Sequence, residues 1–466
     1  MAGTLMSENG VRQVQRRTVV LLSAAQVFGG IGTGATVSIG SILAVELSGS
    51  SAWAGAVATV MTLGAALAAL PLAALADRRG RRMGQVAGLS AALLGTLLMV
   101  LSVVWGAFVL LVLGAAGIGV GTAASLQARF AAVDLADAEH RGRALSAVVW
   151  AVTVGAVAGP NLIQPGTVVG EALGLPPVAG PFVISGAGLL VATVLLFAGL
   201  RPDPLLLARS LASVAPPAPQ DSPQPGSLRA EVRQPAPSTQ APAAQAAAAS
   251  AGGSLARGMR AIRSSRMALL AVSAVVGAHA VMVGVMSMTP LHLQHLVEGP
   301  VASHAGHTAS GDVLVIIGFT ISLHIAGMFA LSPVMGWLTD KAGRTETIMI
   351  GFGLLITAVA VAGFGQDSTV AVAVGLVLLG MGWSASTISG STLLAESVGQ
   401  DSRVVVQGVS DMLMGVAGAV GGATSGLVLS QAGYLGLNMA GALVGAAVLA
   451  AAAVTVVARR RGTLAP

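Results

Sequence analysis

The 466-residue chain contains no cysteine, which excludes disulfides and thiolate metal sites and leaves the redox compartment unreadable. Charge is scarce too: 9% of residues are Asp, Glu, Lys or Arg, where a soluble domain carries roughly 25%. Aromatic residues make up 3%, with a single tyrosine. No Gly-x-x-x-x-Gly-Lys-Ser/Thr phosphate loop is present, so nothing points to ATP hydrolysis. Neither a Ser/His pair nor paired carboxylates stand out in the apolar segments, so the chain reads as a protein other than an enzyme, with no cofactor of its own.

What is present is apolar surface in excess. Hydrophobic residues make up 55% of the chain and the mean hydropathy is +0.84. Twelve apolar stretches recur, the first near 18–45 and the last near 435–457, each close to the roughly twenty residues that carry a helix across a hydrocarbon core. The sequence therefore predicts an all-α membrane protein with twelve transmembrane helices.

The sequence pI of about 11.2 would suggest nucleic acid in a soluble protein. Here the bilayer is the expected partner, because all 24 Lys and Arg fall in connections on one side, among them Arg78, Arg141, Arg201, Lys341, Arg403 and Arg461. The opposite connections carry only acids, Glu46, Glu171, Glu298, Asp312 and Asp367. The positive-inside rule then puts both termini in the cytoplasm of a multi-pass protein of the cell (inner or plasma) membrane, with no cleavable signal.

Residues 201–266 hold ten of the twenty prolines and eight arginines, with no long apolar run. They read as a mostly disordered cytoplasmic linker. Its basic end, Arg257 to Arg266, is either a positive flank or a short amphipathic helix on anionic lipid. The resulting organisation is a cytoplasmic N-terminus (1–17), a six-helix bundle (18–200), the linker, a second six-helix bundle (267–458) and a cytoplasmic tail (459–466).

An internal repeat supports two halves. One connection reads Ala73-Ala-Leu-Ala-Asp77-Arg78-Arg79-Gly80-Arg81-Arg82, and its counterpart reads Gly336-Trp-Leu-Thr-Asp340-Lys-Ala-Gly343-Arg344-Thr345. Gly80 and Gly343 permit a tight turn, while Asp77 and Asp340 sit where a carboxylate can meet Arg or a neighbouring helix N-terminus.

This doubled loop resembles the signature of the major facilitator superfamily, and the resemblance covers essentially everything outside the termini and linker. It implies two pseudo-symmetric bundles around a central site, alternating access, and gating roles for Asp77, Arg78, Arg81, Asp340 and Arg344. One departure is Ala73, where the family usually has Gly. The segment Gly155-Ala-Val-Ala-Gly159-Pro160 partly matches the family's antiporter motif, although small-residue spacing also arises from helix packing. The family's fourth-helix arginine has no counterpart within residues 111–122.

Polar residues inside apolar segments are the default functional candidates. Asp411, inside the eleventh span, suits a latch partner or a proton site. Arg129 and Asp134 are placed to pair at the rim. Gln127, Asn161 and Gln164 are free to bond a solute or to bridge helices.

Six of the seven histidines, His279, His292, His295, His304, His307 and His324, fall in one stretch running from the seventh span to the eighth. On the seventh, His279, Met282 and Met286 share a helical face, and on the eighth His324 and Met328 are i, i+4. Thioether and imidazole form the ligand set expected for copper(I). The pairs Met282/Met286 and His324/Met328 resemble the Met-x-x-x-Met and His-x-x-x-Met motifs of the CcoA-like copper importers, which implies metal ligation by those four residues. His279 is a further candidate from the helical face, and His292, His295, His304 and His307 read as a loose outer capture site.

The expected function is secondary active transport, with copper(I) uptake as the first substrate reading. Proton-coupled export of hydrophobic compounds is the alternative, and a membrane sensor or scaffold that keeps the carrier fold is a third. Copper would be substrate, not cofactor, and the protein is expected to act as a monomer.

Overall fold

The computed structural model describes residues 7–49, 53, 56–161, 163–214, 243–298 and 311–461. Among them the regular secondary structure is helical throughout, the form that satisfies every backbone group inside one segment where lipid offers no partner. The first half contains α1 (Glu8–Ser48), α2 (Ala56–Arg79), α3 (Arg81–Trp105), α4 (Phe108–Ala131), α5 (Arg141–Asn161), α6 (Ile163–Ala172) and α7 (Gly180–Gly199). Two helices follow in the linker, α8 (Pro204–Val214) and α9 (Ala243–Ser264). The second half contains α10 (Arg266–Glu298), α11 (Gly311–Phe329), α12 (Ser332–Ala342), α13 (Arg344–Phe364), α14 (Thr369–Glu396) and α15 (Gln400–Arg460).

Nine helical stretches among the described residues are long and apolar enough to cross a membrane. The last of them, from Gln400 to Ala458, holds two passes that turn at Gly433, whose φ of 68° and ψ of −176° only glycine adopts without strain. With α1, and with α5 continued by α6, these stretches make up the expected twelve passes. The eighth pass is broken into α11 and α12, because Pro333 in the first turn of α12 has no N–H to continue the ladder.

Each half has its own core. Leu22, Leu89, Met99, Leu111, Ile118 and Phe182 anchor the first, and Phe352, Leu355, Val359, Leu379 and Trp383 anchor the second. A smaller apolar cluster joins them, with Val133, Leu145 and Val149 meeting Met335, Ala385 and Ile388. Helices cross between the halves through small residues. A Cβ on Gly408 of α15 would fall on the Cβ of Ala73 of α2, and a Cβ on Gly336 of α12 would fall on Ser146 and the Gly142 carbonyl of α5. The Ala73 departure from the signature is thus matched by glycine on the facing helix.

The linker departs from expectation at both ends, where α8 and α9 are folded, while residues 215–242 lie outside the described residues. The reason is local amphipathicity. Leu205 of α8 is buried with Ala73, Ala76 and Val404. On α9, Gly258 lies against Val405 and Val409 of α15, and Leu255, Met259 and Ile262 join the cluster that contains Leu70 of α2. Arg257, Arg260 and Arg263 lie on the exposed face. The apolar face of α9 therefore covers protein, not lipid, and touches helices of both halves. The end of the bundles where α8, α9, the start of α1 and the end of α15 lie is called the linker end below.

Candidate functional site

The sharp turns of the repeated loops form as the sequence predicts, with Gly80 at φ 91° and Gly343 at φ 109°. Both loops place an arginine against an acid at the end of the helix two passes on. Arg81 donates to Asp134 through Nε at 2.8 Å and Nη2 at 3.1 Å, and also to Gln407 of the other half at 2.6 Å. Arg344 donates to both carboxylate oxygens of Glu396, at 3.2 and 3.0 Å, and Glu396 also accepts from Arg141 of the first half at 3.1 Å.

The two loop aspartates behave differently. Asp340 accepts the backbone N–H groups of Gly142 and Arg143, at 2.8 and 2.9 Å, and so caps the start of α5 across the interface between the halves. Asp77 instead pairs with Arg209 of α8, whose Nη1 also donates to the Asp77 carbonyl at 2.7 Å. Arg78 is exposed and forms no ion pair among the described residues. A carboxylate from the linker, Asp203, supplies the cap that Asp77 does not, accepting the Arg82 N–H at 2.8 Å at the start of α3.

Arg129 and Asp134, expected to pair with each other, take other partners. Asp134 is held by Arg81, and Arg129 forms an ion pair with Asp411 of α15 across the interface. Both members of that second pair are buried. Asp411 lies eleven residues past the start of α15, which at 1.5 Å per residue is about 16 Å, or three turns, from the linker end. Asp411 Oδ2, Arg129 Nε, Gln407 Nε2 and Ser410 Oγ are buried without a further hydrogen-bond partner. Gln127 is spent on a helix bridge, donating to the Ala69 carbonyl at 2.7 Å. The ion pairs between the halves among the described residues all lie in this linker-end half of the molecule.

Beyond Arg129, within its Coulombic reach, lies His279 of α10. Trp383 of α14 donates its Nε1–H to His279 Nδ1 at 3.3 Å, and Phe329 of α11 meets the Trp383 ring edge-on at 5.8 Å. The bond fixes His279 with Nδ1 as acceptor and Nε2 as the N–H. Nε2 faces Gly418 of α15, where a Cβ would approach it to 2.9 Å. His279 keeps part of its surface accessible although it lies thirteen residues, about 20 Å, along α10. One face of α14 continues past Trp383 with the buried hydroxyls Ser384, Thr387 and Ser391, at i, i+3 and i+7. Residues of α4, α10, α11, α14 and α15 thus converge on a polar and aromatic site. Trp383 carried no motif to mark it in the sequence; an indole next to a helical run of Ser and Thr was its only signal.

The methionine and histidine candidates are placed less simply. Met282 and Met328 are buried in the second core, with Met286 packed against it. His324 is fully buried and its Nδ1–H donates to the Leu376 carbonyl of α14 at 2.7 Å, leaving Nε2 buried with no partner. A cluster of these side chains requires the facing sides of the seventh and eighth spans to converge. Instead α14 packs far more extensively against α10 and against α11 than those two pack on each other. His279, offered as a fifth ligand, has its Nδ1 lone pair engaged by Trp383. No group of three or more His, Asp or Glu suited to a metal occurs among the described residues.

Of the outer histidines, His292 stacks flat on Tyr434 with centroids 3.9 Å apart, and its Nε2–H donates to the Gln366 carbonyl at 2.8 Å. Tyr434, just past the Gly433 turn, also bonds Thr289 at 3.0 Å. His292 thus ties three passes together at the end remote from the linker. His295 is partly exposed, and His304 and His307 lie outside the described residues. Gly155 packs directly on α1, where a Cβ would meet the Val27 carbonyl and Gly30 at 2.7 Å, which is a helix-crossing role. Gly159 and Pro160 fall in α5, and their side chains, like those of Asn161 and Gln164, lie outside the described residues.

Comparison with known proteins agrees with this architecture. The Major Facilitator Superfamily model matches residues 22–311 and 296–466. The chain is 33% identical over 436 residues to the uncharacterized MFS-type transporter YdeG of Bacillus subtilis, covering 93% of this chain and 90% of that protein. It is 25% identical over 429 residues to the riboflavin transporter RfnT of Brucella anthropi, covering 91% and 92%. In fold it is similar to the human organic anion transporter MFSD10, with a TM-score of 0.69 at 15% identity over 94% of this chain and 99% of that one. It is also similar to the fucose transporter FucP from Escherichia coli in its outward conformation, with a TM-score of 0.60 at 16% identity over 93% and 97%. The doubled loop, the two bundles and these matches make one conclusion: the chain belongs to the Major Facilitator Superfamily and is a multi-pass membrane transporter of small solutes.

Proposed function

We propose that the protein is a secondary carrier of the cell membrane that works as a monomer by alternating access and moves a small organic solute with a planar ring. The observation that carries this reading is the Trp383–His279 pair with Phe329 edge-on in the second half, on a helix, α14, that also carries the buried hydroxyls Ser384, Thr387 and Ser391. Indole and phenyl faces stack on a flat ring, and His279 Nε2–H and the α14 hydroxyls offer directional hydrogen bonds to heteroatoms at its edge. The relative RfnT is a riboflavin transporter, and riboflavin is of this class. With basic connections at the linker end, that end faces the cytoplasm, and its ion pairs hold it closed in this state. The test is uptake of radiolabelled riboflavin into cells or right-side-out vesicles. Accumulation that falls at least tenfold in Trp383→Ala, while the amount of folded protein is unchanged, supports the reading; no accumulation of riboflavin or of other flat heteroaromatic compounds sinks it.

A second reading, copper(I) uptake, is favoured by the tautomer of His324. With Nδ1–H bonded to Leu376, the imidazole presents a buried, unpartnered Nε2 lone pair, the arrangement of a metal-binding histidine, and Met282 and Met328 belong to the same core. Metal analysis of purified protein and cellular copper accumulation in Met282→Leu, Met286→Leu, His324→Ala and Met328→Leu decide it. Unchanged copper in all four removes this reading.

A further inference from the structure

Among the described residues, the interface between the halves holds one ion pair with both members buried, and none of the gating loops supplies it. Asp411 is on α15 and Arg129 on α4, and both are removed from water, with side-chain exposures of 0% and 4%. The pair is incompletely satisfied, since Asp411 Oδ2 and Arg129 Nε have no hydrogen-bond partner among the described residues. A buried ion pair that lacks part of its hydrogen bonding recovers little of its desolvation cost, while removing one charge leaves the other stranded. Such a pair is poised to be broken by a proton.

We infer that Asp411 is the proton-binding site that couples this carrier to a proton gradient. In the state described, Asp411 is a carboxylate and its attraction to Arg129 holds the two halves together at the linker end. A proton from the aqueous phase binds a carboxylate oxygen, the charge on Asp411 is neutralised, and Arg129 is left as an uncompensated cation against the first half's helix end. The linker end then opens, Arg129 is hydrated, and on release of the proton to that side the pair re-forms. Arg81, which donates to Gln407 one helical turn before Asp411, is already neutralised by Asp134 and is not freed in this step.

Other charges near Asp411 set the specificity of the claim. Arg129 of α4 and Arg81 of α3 lie on one side, and His279 of α10 lies beyond Arg129. The other charged groups toward the linker end, on α15 itself and on helices packed against it, are Asp401 and Arg403 of α15, Asp77, Arg78 and Arg79 of α2, Arg257, Arg260 and Arg263 of α9, Arg266 of α10, Arg344 and Glu346 of α13 and Glu396 of α14, all partly or wholly exposed. His279 is therefore the one competing titratable group inside the membrane near the pair, and it needs its own control. The inference rests on the carrier reading but not on the identity of the solute.

The experiment uses the absence of native cysteine. Glu139→Cys, exposed before α5, and Lys341→Cys, exposed at the end of α12, place one spin label on each half at the linker end. Their separation is measured by pulsed electron resonance in nanodiscs as pH is lowered from alkaline to acid. In the otherwise native chain the separation should lengthen on acidification. In Asp411→Asn it should be long at every pH, and Asp411→Glu, which keeps a carboxylate, should restore a pH-dependent transition with a moved midpoint. His279→Gln should leave the transition in place. A short separation and an unchanged transition in Asp411→Asn overturn the proton site, as does a transition that vanishes in His279→Gln and survives in Asp411→Asn. If the labels never separate at any pH or with any solute, the carrier reading itself fails.

Discussion

Asp340 on α12 accepts the Gly142 N–H at 2.8 Å, so one half of the transporter caps a helix of the other. Its pseudo-symmetric counterpart, Asp77, is turned aside by Arg209 of the linker helix α8. The two copies of the signature loop are alike in sequence and unequal in work. Asp340→Ala should weaken closure of the linker end by about 1–2 kcal/mol, the worth of a lost cap and its dipole term. Asp77→Ala should change closure much less. Cross-linking yield between Glu139→Cys and Lys341→Cys reports both.

Gly336 and Gly408 occupy equivalent crossings, but their neighbours differ. Gly336→Val should prevent close approach of α12 to α5 and abolish transport while the protein still purifies folded. For Gly408→Val the first atom met is the Ala73 Cβ, so Ala73→Gly should recover part of the lost transport, and should not rescue Gly336→Val. Solute uptake in the four variants is the measurement.

Arg81 and Asp134 are each about 1% exposed. Removing one member strands the other, which costs about 3–5 kcal/mol. Arg81→Ala and Asp134→Ala should therefore each lower the thermal unfolding temperature sharply in detergent, and the double variant should be more stable than the sum of the two losses implies.

On α9 the two faces give opposite expectations. Ile262 is 2% exposed in the second core, so Ile262→Glu should strip α9 from α15 and raise the proteolytic sensitivity of the linker. Arg260→Gln, on the exposed face, should change stability by no more than about 0.5 kcal/mol. Limited proteolysis of the two variants separates the cases.

Trp383→Phe keeps most of the apolar packing but removes the hydrogen bond to His279, worth about 1 kcal/mol. Solute affinity should fall several-fold with little change in thermal stability. Equal losses in both would make the pair a structural one.

Much of this protein was legible in the chain. A run of about twenty apolar residues has one stable form in lipid, so the twelve passes follow from composition and length alone. Gly80 and Gly343 fixed the turns because few other residues adopt positive φ, and the repeat around them fixed two equivalent halves. Which charges pair was not legible. Arg129 and Asp134 are five residues apart and looked like partners, yet Arg129 reaches Asp411, 282 residues away, and Asp134 takes Arg81. The same holds for His324, whose ring turns to Leu376 on α14, and for Trp383 and His279, 104 residues apart. Hydrophobic length is a property of one segment and acts before any helix meets another. Pairing inside lipid depends on which polar groups are brought within about 3 Å of each other, and only the packing of the two bundles decides that.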